Sequence, residues 1–315
     1  MLSDLSQQFV GEAKKLIPFF EDPLVTDVLI NGLKGVFVEK NGNLIEIPSV
    51  FSKEEALYCF VERLLVANHR QIDAAAPYLD GSLLDGSRFN IVLPPLAAPG
   101  PLISIRKSAQ NKIISLTQFG PSELVHWILD KVKAQKTFLI SGGTGVGKTT
   151  FLSSLLAEAC AQERVVVIEE VSEIQIPIPH LIHLQSRTAS PDGRGAVTLR
   201  TLVRTALRVR PDRLILGECR GAEAFDMLQA MNTGHGGSLG TLHANSARGA
   251  LRRFESMALL AGLESPLKVI RDWISSEVFG IIHLEKNEGV RQIAEVILLR
   301  GLEGEIYRVE SYYRK

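Results

Sequence analysis

Between the apolar run TFLIS at 137–141 and the segment KTTFLSSLLAEA at 148–159, the chain reads GGTGVGKT. This stretch, residues 142–149, fits the spacing GxxxxGK[ST], which restricts backbone and chemistry together. Its glycines allow successive amides to turn toward one side, and a helix starting at the turn adds the partial positive charge of its N-terminus. The spacing predicts a strand, a tight turn and a helix that together cradle a polyphosphate. Gly142, Gly143, Thr144, Gly145, Val146 and Gly147 would supply the cradle, with Thr150 just inside the helix. Lys148 would span the β- and γ-phosphates, and the Thr149 hydroxyl would be a magnesium ligand. ATP with Mg²⁺ is the expected ligand, since no NKxD sequence for reading guanine occurs.

A cradle binds phosphate but does not hydrolyse it; for that, acids must stand nearby. From about Leu116 onward, β-rich runs alternate with helical patterns: TFLIS, RVVVIEE, RLILGE and SLGTLHA. Such alternation predicts a largely parallel sheet covered by helices, in which ligands bind at the C-terminal strand edge. Glu218 ends one of these runs, and Glu169, Glu170 and Glu173 follow another, so carboxylates from neighbouring strands should converge beside the phosphates. They are candidates for orienting water and holding the metal. His235 and His243 flank a glycine-rich stretch. His243 at a strand end could sense the γ-phosphate, ligate a metal or be a structural histidine, and its residues alone leave these readings open.

At 315 residues the chain exceeds what one core usually organises. Residues 1–110 read as a smaller α+β domain, with strand-like VLING and GVFVEKNG, an amphipathic helix from Lys53 to Asn68, a proline-rich loop at 94–101 and the strand LISIR. Residues 111–315 read as an α/β domain, with a hinge expected around Ser108 to Lys112. Near the end, Ser265 followed by Pro266 reads as a helix start, and the closing segment as a β-hairpin turning near Gly301 and Gly304. Lysine plus arginine equals aspartate plus glutamate, 35 each, so no global field draws the chain to nucleic acid. No run reaches the roughly 18 apolar residues of a membrane span, and the first residues lack a signal-peptide core, so a cytoplasmic protein is expected. Cys59, Cys160 and Cys219 are isolated, form no zinc-binding pattern and are expected to pack as small apolar groups.

Taken together, GGTGVGKTT, VVVIEEVSEIQI, RPDRLILGECRGAEAFDMLQAMNTGHGGSLGTLHANS and EVILLRGLEGEIYRVESYYR resemble the type II/type IV secretion ATPase superfamily. Within it the chain is most similar to the CpaF-type assembly motors of tight-adherence (Tad/Flp) pili, and next to the smaller ring ATPases of type IV secretion. The resemblance implies a RecA-like P-loop NTPase domain with a smaller α+β N-terminal domain. It implies an acidic box at Val165–Ile176, a Walker B strand at Leu214–Glu218 and a histidine box at Gly234–Ala244. It implies catalytic roles for Glu218, Glu169, Glu170, Glu173 and His243, and for Arg88 and Arg106 as arginines that reach the nucleotide. The same resemblance implies a homo-oligomer, a hexameric ring, working at the cytoplasmic face of the inner membrane on membrane-embedded pilus or secretion platform proteins. A secretion or conjugation traffic ATPase and a weakly hydrolysing scaffold remain the alternative readings. Three positions depart from the family pattern: Glu170 stands where aspartate is frequent, Gly236 where glutamate is common and Gly240 where threonine is usual. The sequence also shows no four-cysteine zinc subdomain and no AIR-type retraction motif, and docking through a long N-terminal extension like that of many Tad motors is not expected.

Overall fold

The computed structural model describes residues 5, 7–68, 70–98, 100–108, 113–187, 189, 193–262 and 266–315. The chain forms two compact units, Met1–Gln110 with Thr188–Ala196, and Asn111–Arg187 with Val197–Lys315. The return of Thr188–Ala196 to the first unit is something a single cut in the sequence does not anticipate. The expected hinge falls largely outside the described residues.

The first unit is built on an antiparallel sheet of β1 (Val25–Asn31), β2 (Gly35–Lys40), β3 (Asn43–Ile47), β4 (Tyr78–Ser82), β5 (Arg88–Val92) and β6 (Leu102–Arg106), in the order β3-β2-β1-β6-β5-β4. Its strands alternate: Val28, Ile30, Ile91, Ile103 and Ile105 are buried, and their neighbours in sequence are not. The helix Glu54–Ala67 covers that face with Leu57, Phe60, Val61 and Leu64. Its Cys59 points outward and is exposed, unlike the buried Cys160 and Cys219, so the expectation that all three thiols pack in the core fails at this helix position.

The second unit carries an eight-stranded sheet. Its strands are β7 (Thr137–Gly142), β8 (Val165–Glu169), β9 (Leu181–Gln185), β10 (Arg213–Leu216), β11 (Leu239–His243), β12 (Val278–Asn287), β13 (Val290–Glu303) and β14 (Ile306–Arg314). The order is β14-β13-β12-β7-β11-β10-β8-β9. From β12 to β9 all neighbours are parallel, and β13 and β14 extend the sheet antiparallel. The closing hairpin turns between Glu303 and Ile306 as expected, but β9 and β12 were not anticipated. Parallel strands buried on both faces read as continuous apolar runs. Thus Phe138, Ile140, Val165 and Val167 pack under the helices Ser122–Lys133 and Lys148–Ala159, whereas Leu139, Val166, Ile168 and Leu242 pack under Leu199–Ala206, Glu223–Asn232, Ala247–Leu259 and Leu267–Glu277. The last of these begins at Leu267 with Pro266 at its cap, one place earlier than the first-turn position expected of it; Ser265 lies outside the described residues.

At the sheet edge opposite the phosphate loop, Arg213 is wholly buried. Its guanidinium donates to both carboxylate oxygens of Glu163 and to the carbonyls of Gly237 and Val132. Breaking a buried pair strands its partners without donors, so Arg213→Leu should cost about 3 kcal/mol of stability. The urea unfolding midpoint, at unchanged slope, would measure it.

Candidate active site

Strand β7 ends at Gly142 and the following helix starts at Lys148, so the phosphate loop occupies the gap between them. Gly147 caps the helix with φ of 93°, a left-handed conformation that favours glycine. At Gly142 the limit is space, because a Cβ there would lie 2.5 Å from the carbonyl oxygen of Leu284 on β12. Lys148 folds back over the loop, its Nζ donating to Gly143 O at 2.7 Å and Gly142 O at 3.1 Å. Burial lowers its pKa, an effect opposed by the nearby Glu218 carboxylate.

The strand neighbours of β7 bring the acids. Parallel pairing of β7 with β11 places His243 opposite Gly142. The His243 ring has Nδ1 3.4 Å from Lys148 Nζ, and Nε2 2.7 Å from Glu218 Oε1. Burial first, and then the Lys148 charge, lower the His243 pKa. A neutral ring that accepts from Lys148 at Nδ1 carries its proton on Nε2, which lies beside the carboxylate but makes no hydrogen bond to Oε1. Metal ligation is not what this geometry serves: among the described residues no group of three or more His, Cys, Asp and Glu side chains could hold a metal ion.

The four sequence-predicted acids are placed differently. Glu218, two residues past β10, is held through Oε2 by Arg220, whose Nε and Nη2 lie at 2.9 and 2.6 Å. Glu170, from the segment after β8, accepts from the same guanidinium at 2.5 Å. Glu173 receives the Thr149 hydroxyl at 3.5 Å. Glu169 instead is buried, and its carboxylate accepts the backbone N–H groups of Glu173 and Ile174 at 3.2–3.3 Å. It shapes the acidic loop rather than presenting a free carboxylate. A hydroxyl is the kind of hard oxygen donor that magnesium prefers, so Thr149, with the Glu173 carboxylate beside it, would hold that ion together with phosphate oxygens.

Sequence reasoning missed Arg220 and Glu223. Residues 218 and 220 flank a buried Cys219, a spacing that puts both side chains on one side of an extended stretch and could have exposed the pair. Burial pushes the Cys219 thiol well above its usual pKa, so it behaves as an apolar group. Of the departing positions, Gly240 sits tightly: a Cβ there would stand 3.2 Å from Cε of Met227, so a larger residue needs that flexible side chain to shift by a few tenths of an ångström. In the first unit, Arg88 and Arg106 are directly opposed on β5 and β6, on the face away from the core, and Arg106 pairs with Asp27 at 3.0 Å.

The sequence model of the family described as type II/IV secretion system protein matches residues 11–287. A putative conjugal transfer protein of Mycobacterium tuberculosis is 36% identical over 309 residues, covering 95% of this chain and 87% of its own. The type IV secretion system protein PtlH of Bordetella pertussis is 34% identical over 264 residues, covering 74% of this chain and 78% of its own. Among solved structures, the VirB11 ATPase of the Brucella suis type IV secretion system superposes with a TM-score of 0.50 at 27% identity, over 93% of this chain and 94% of that one. The pilus retraction motor PilT reaches a TM-score of 0.67 at 20% identity, over 94% and 82%, and shares the fold. With a family model that spans most of its length and relatives 36% and 34% identical over most of the chain, its architecture is the two-domain RecA-like one and the chain belongs to the type II/type IV secretion ATPase superfamily.

Proposed function

We propose that the chain is a magnesium-dependent ATPase that works as a homohexameric ring motor for assembly of a Tad/Flp-type pilus. One observation carries the hydrolytic part: Lys148 of the phosphate loop, His243 and the Glu218 carboxylate stand in contact, at 3.4 and 2.7 Å. The amides of residues 142–149 hold the β- and γ-phosphates, and Lys148 turns from the loop carbonyls to the phosphate oxygens. Magnesium, when bound, spreads the charge of those oxygens. Glu218 orients a water for in-line attack and accepts its proton; the new bond forms from water oxygen to γ-phosphorus as the β–γ bridge breaks, giving ADP and phosphate. His243 joins the lysine that senses the γ-phosphate to the acid that acts on it. Arg88 and Arg106, as charge-neutralising arginines, belong to the same proposal.

No helix among the described residues is long and apolar enough to cross a membrane. The motor would therefore act through membrane-embedded partners at the cytoplasmic face. A second reading, a type IV secretion or conjugation traffic ATPase, is favoured by the names of relatives that cover most of the chain. Steady-state phosphate release from ATP and Mg²⁺, measured alone and with a pilus platform protein or a conjugation channel protein, tests both. Stimulation by the platform protein is expected. Stimulation by the channel protein alone transfers the motor to the second reading, and nucleotide binding without phosphate release makes the chain a scaffold.

A further inference from the structure

Arg220 stands where the local backbone is pinned residue by residue. Cys219 N–H donates to Thr241 O at 2.7 Å, and the N–H groups of Arg220 and Gly221 both donate to Oε1 of Glu223, at 2.6 and 2.7 Å. Glu223 is itself buried at the start of the helix Glu223–Asn232. With Cys219 turned into the core, Glu218 and Arg220 emerge on the same side. The guanidinium lies side-on to Glu218, with Nε and Nη2 sharing Oε2, and Nη1 reaches Oε2 of Glu170. One planar, permanently charged group thus fixes two carboxylates, delivered by the segments that follow β10 and β8. It leaves Oε1 of Glu218 without a hydrogen-bond partner, 2.7 Å from His243 Nε2. About half of the Arg220 side chain is exposed, so these ion pairs add little to global stability. Their consequence is orientation.

We propose that Arg220 is a positioning residue for hydrolysis: it sets the Glu218 carboxylate, and Glu170 with it, so that Glu218 Oε1 faces His243 and the phosphate loop. This rests on the reading of Glu218 as the acid that orients water. A fork that fixes a carboxylate acts on the reaction step and not on phosphate affinity, because misplacing a catalytic group by about 1 Å costs on the order of 100-fold in rate.

The test uses the full chain with ATP and Mg²⁺, comparing wild type with Arg220→Gln, Arg220→Lys, Glu218→Gln, Glu170→Gln and the double variant Glu170→Gln with Arg220→Gln. Arg220→Gln should lower kcat about 10- to 100-fold while KM and nucleotide affinity stay within about 3-fold. Its Tm should move by less than about 3 °C. Arg220→Lys should recover part of kcat, since an ammonium restores charge but not the planar fork. Glu170→Gln combined with Arg220→Gln should fall below Arg220→Gln by less than the Glu170→Gln cost in wild type, because both act through one network. Wild-type or raised kcat in Arg220→Gln, beside an inactive Glu218→Gln, overturns the role of Arg220 alone. Parallel loss of kcat, affinity and Tm overturns it too, by making the residue merely structural. A Glu218→Gln chain that hydrolyses normally overturns the underlying reading, and the proposal with it.

Discussion

Glu218→Gln is expected to bind ATP about as tightly as wild type and to release phosphate on the order of 10²- to 10⁴-fold more slowly, the range set by loss of a general base. The substitution keeps the shape of the side chain and removes its charge. The carboxylate accepts from Arg220 at Oε2, while its Oε1 lies 2.7 Å from His243 Nε2 without a hydrogen-bond partner. An amide has one acceptor oxygen, so keeping the Arg220 fork on it turns the NH₂ toward His243 Nε2. The phosphate cradle is untouched, which is why binding survives. Fluorescent-nucleotide titration and steady-state phosphate release, read on the same preparation, separate the two quantities. Hydrolysis at the wild-type rate would remove Glu218 from the mechanism.

Lys148→Ala should fail at the earlier step. A charge-assisted hydrogen bond contributes roughly 1.5–3 kcal/mol, so an ammonium spanning two phosphates should be worth a factor of at least about 100 in Kd. Turnover disappears with binding. Because Lys148 Nζ also donates to the carbonyls of Gly142 and Gly143, the same change loosens the loop in the protein itself. Thermal unfolding without nucleotide reads that local effect, while the loss of Tm elevation on adding ATP reads the loss of binding. ATP binding of wild-type strength in Lys148→Ala would contradict the assignment of the loop.

Much of the second unit was legible because its strands are short, apolar throughout and punctuated. TFLIS, VVVIE and RLIL are buried along their whole length, as central parallel strands are. Strand β9 escaped notice because it lies at the sheet edge with partly exposed residues, and β12 because VFGIIHLEKN passes directly from the preceding helix without a turn signal. At the site, the phosphate loop was readable residue by residue. The acids were readable as a group but not in their roles: Glu169 and Glu170 are adjacent in sequence, yet one is buried against the loop backbone and the other meets Arg220.

The sequence alone determined the strand–turn–helix around residues 142–149, because glycine freedom, lysine reach and the helix start are properties of neighbours along the chain. It also determined, through the ends of its apolar runs, which strands would bring acids and a histidine to that turn. Tertiary structure decided the partnerships: Lys148 with His243, Glu218 with Arg220, Arg220 with Glu170, and Arg88 opposite Arg106. These depend on sheet order and register, which long-range packing selects, and a side chain's partner across a sheet is not written in the residues beside it.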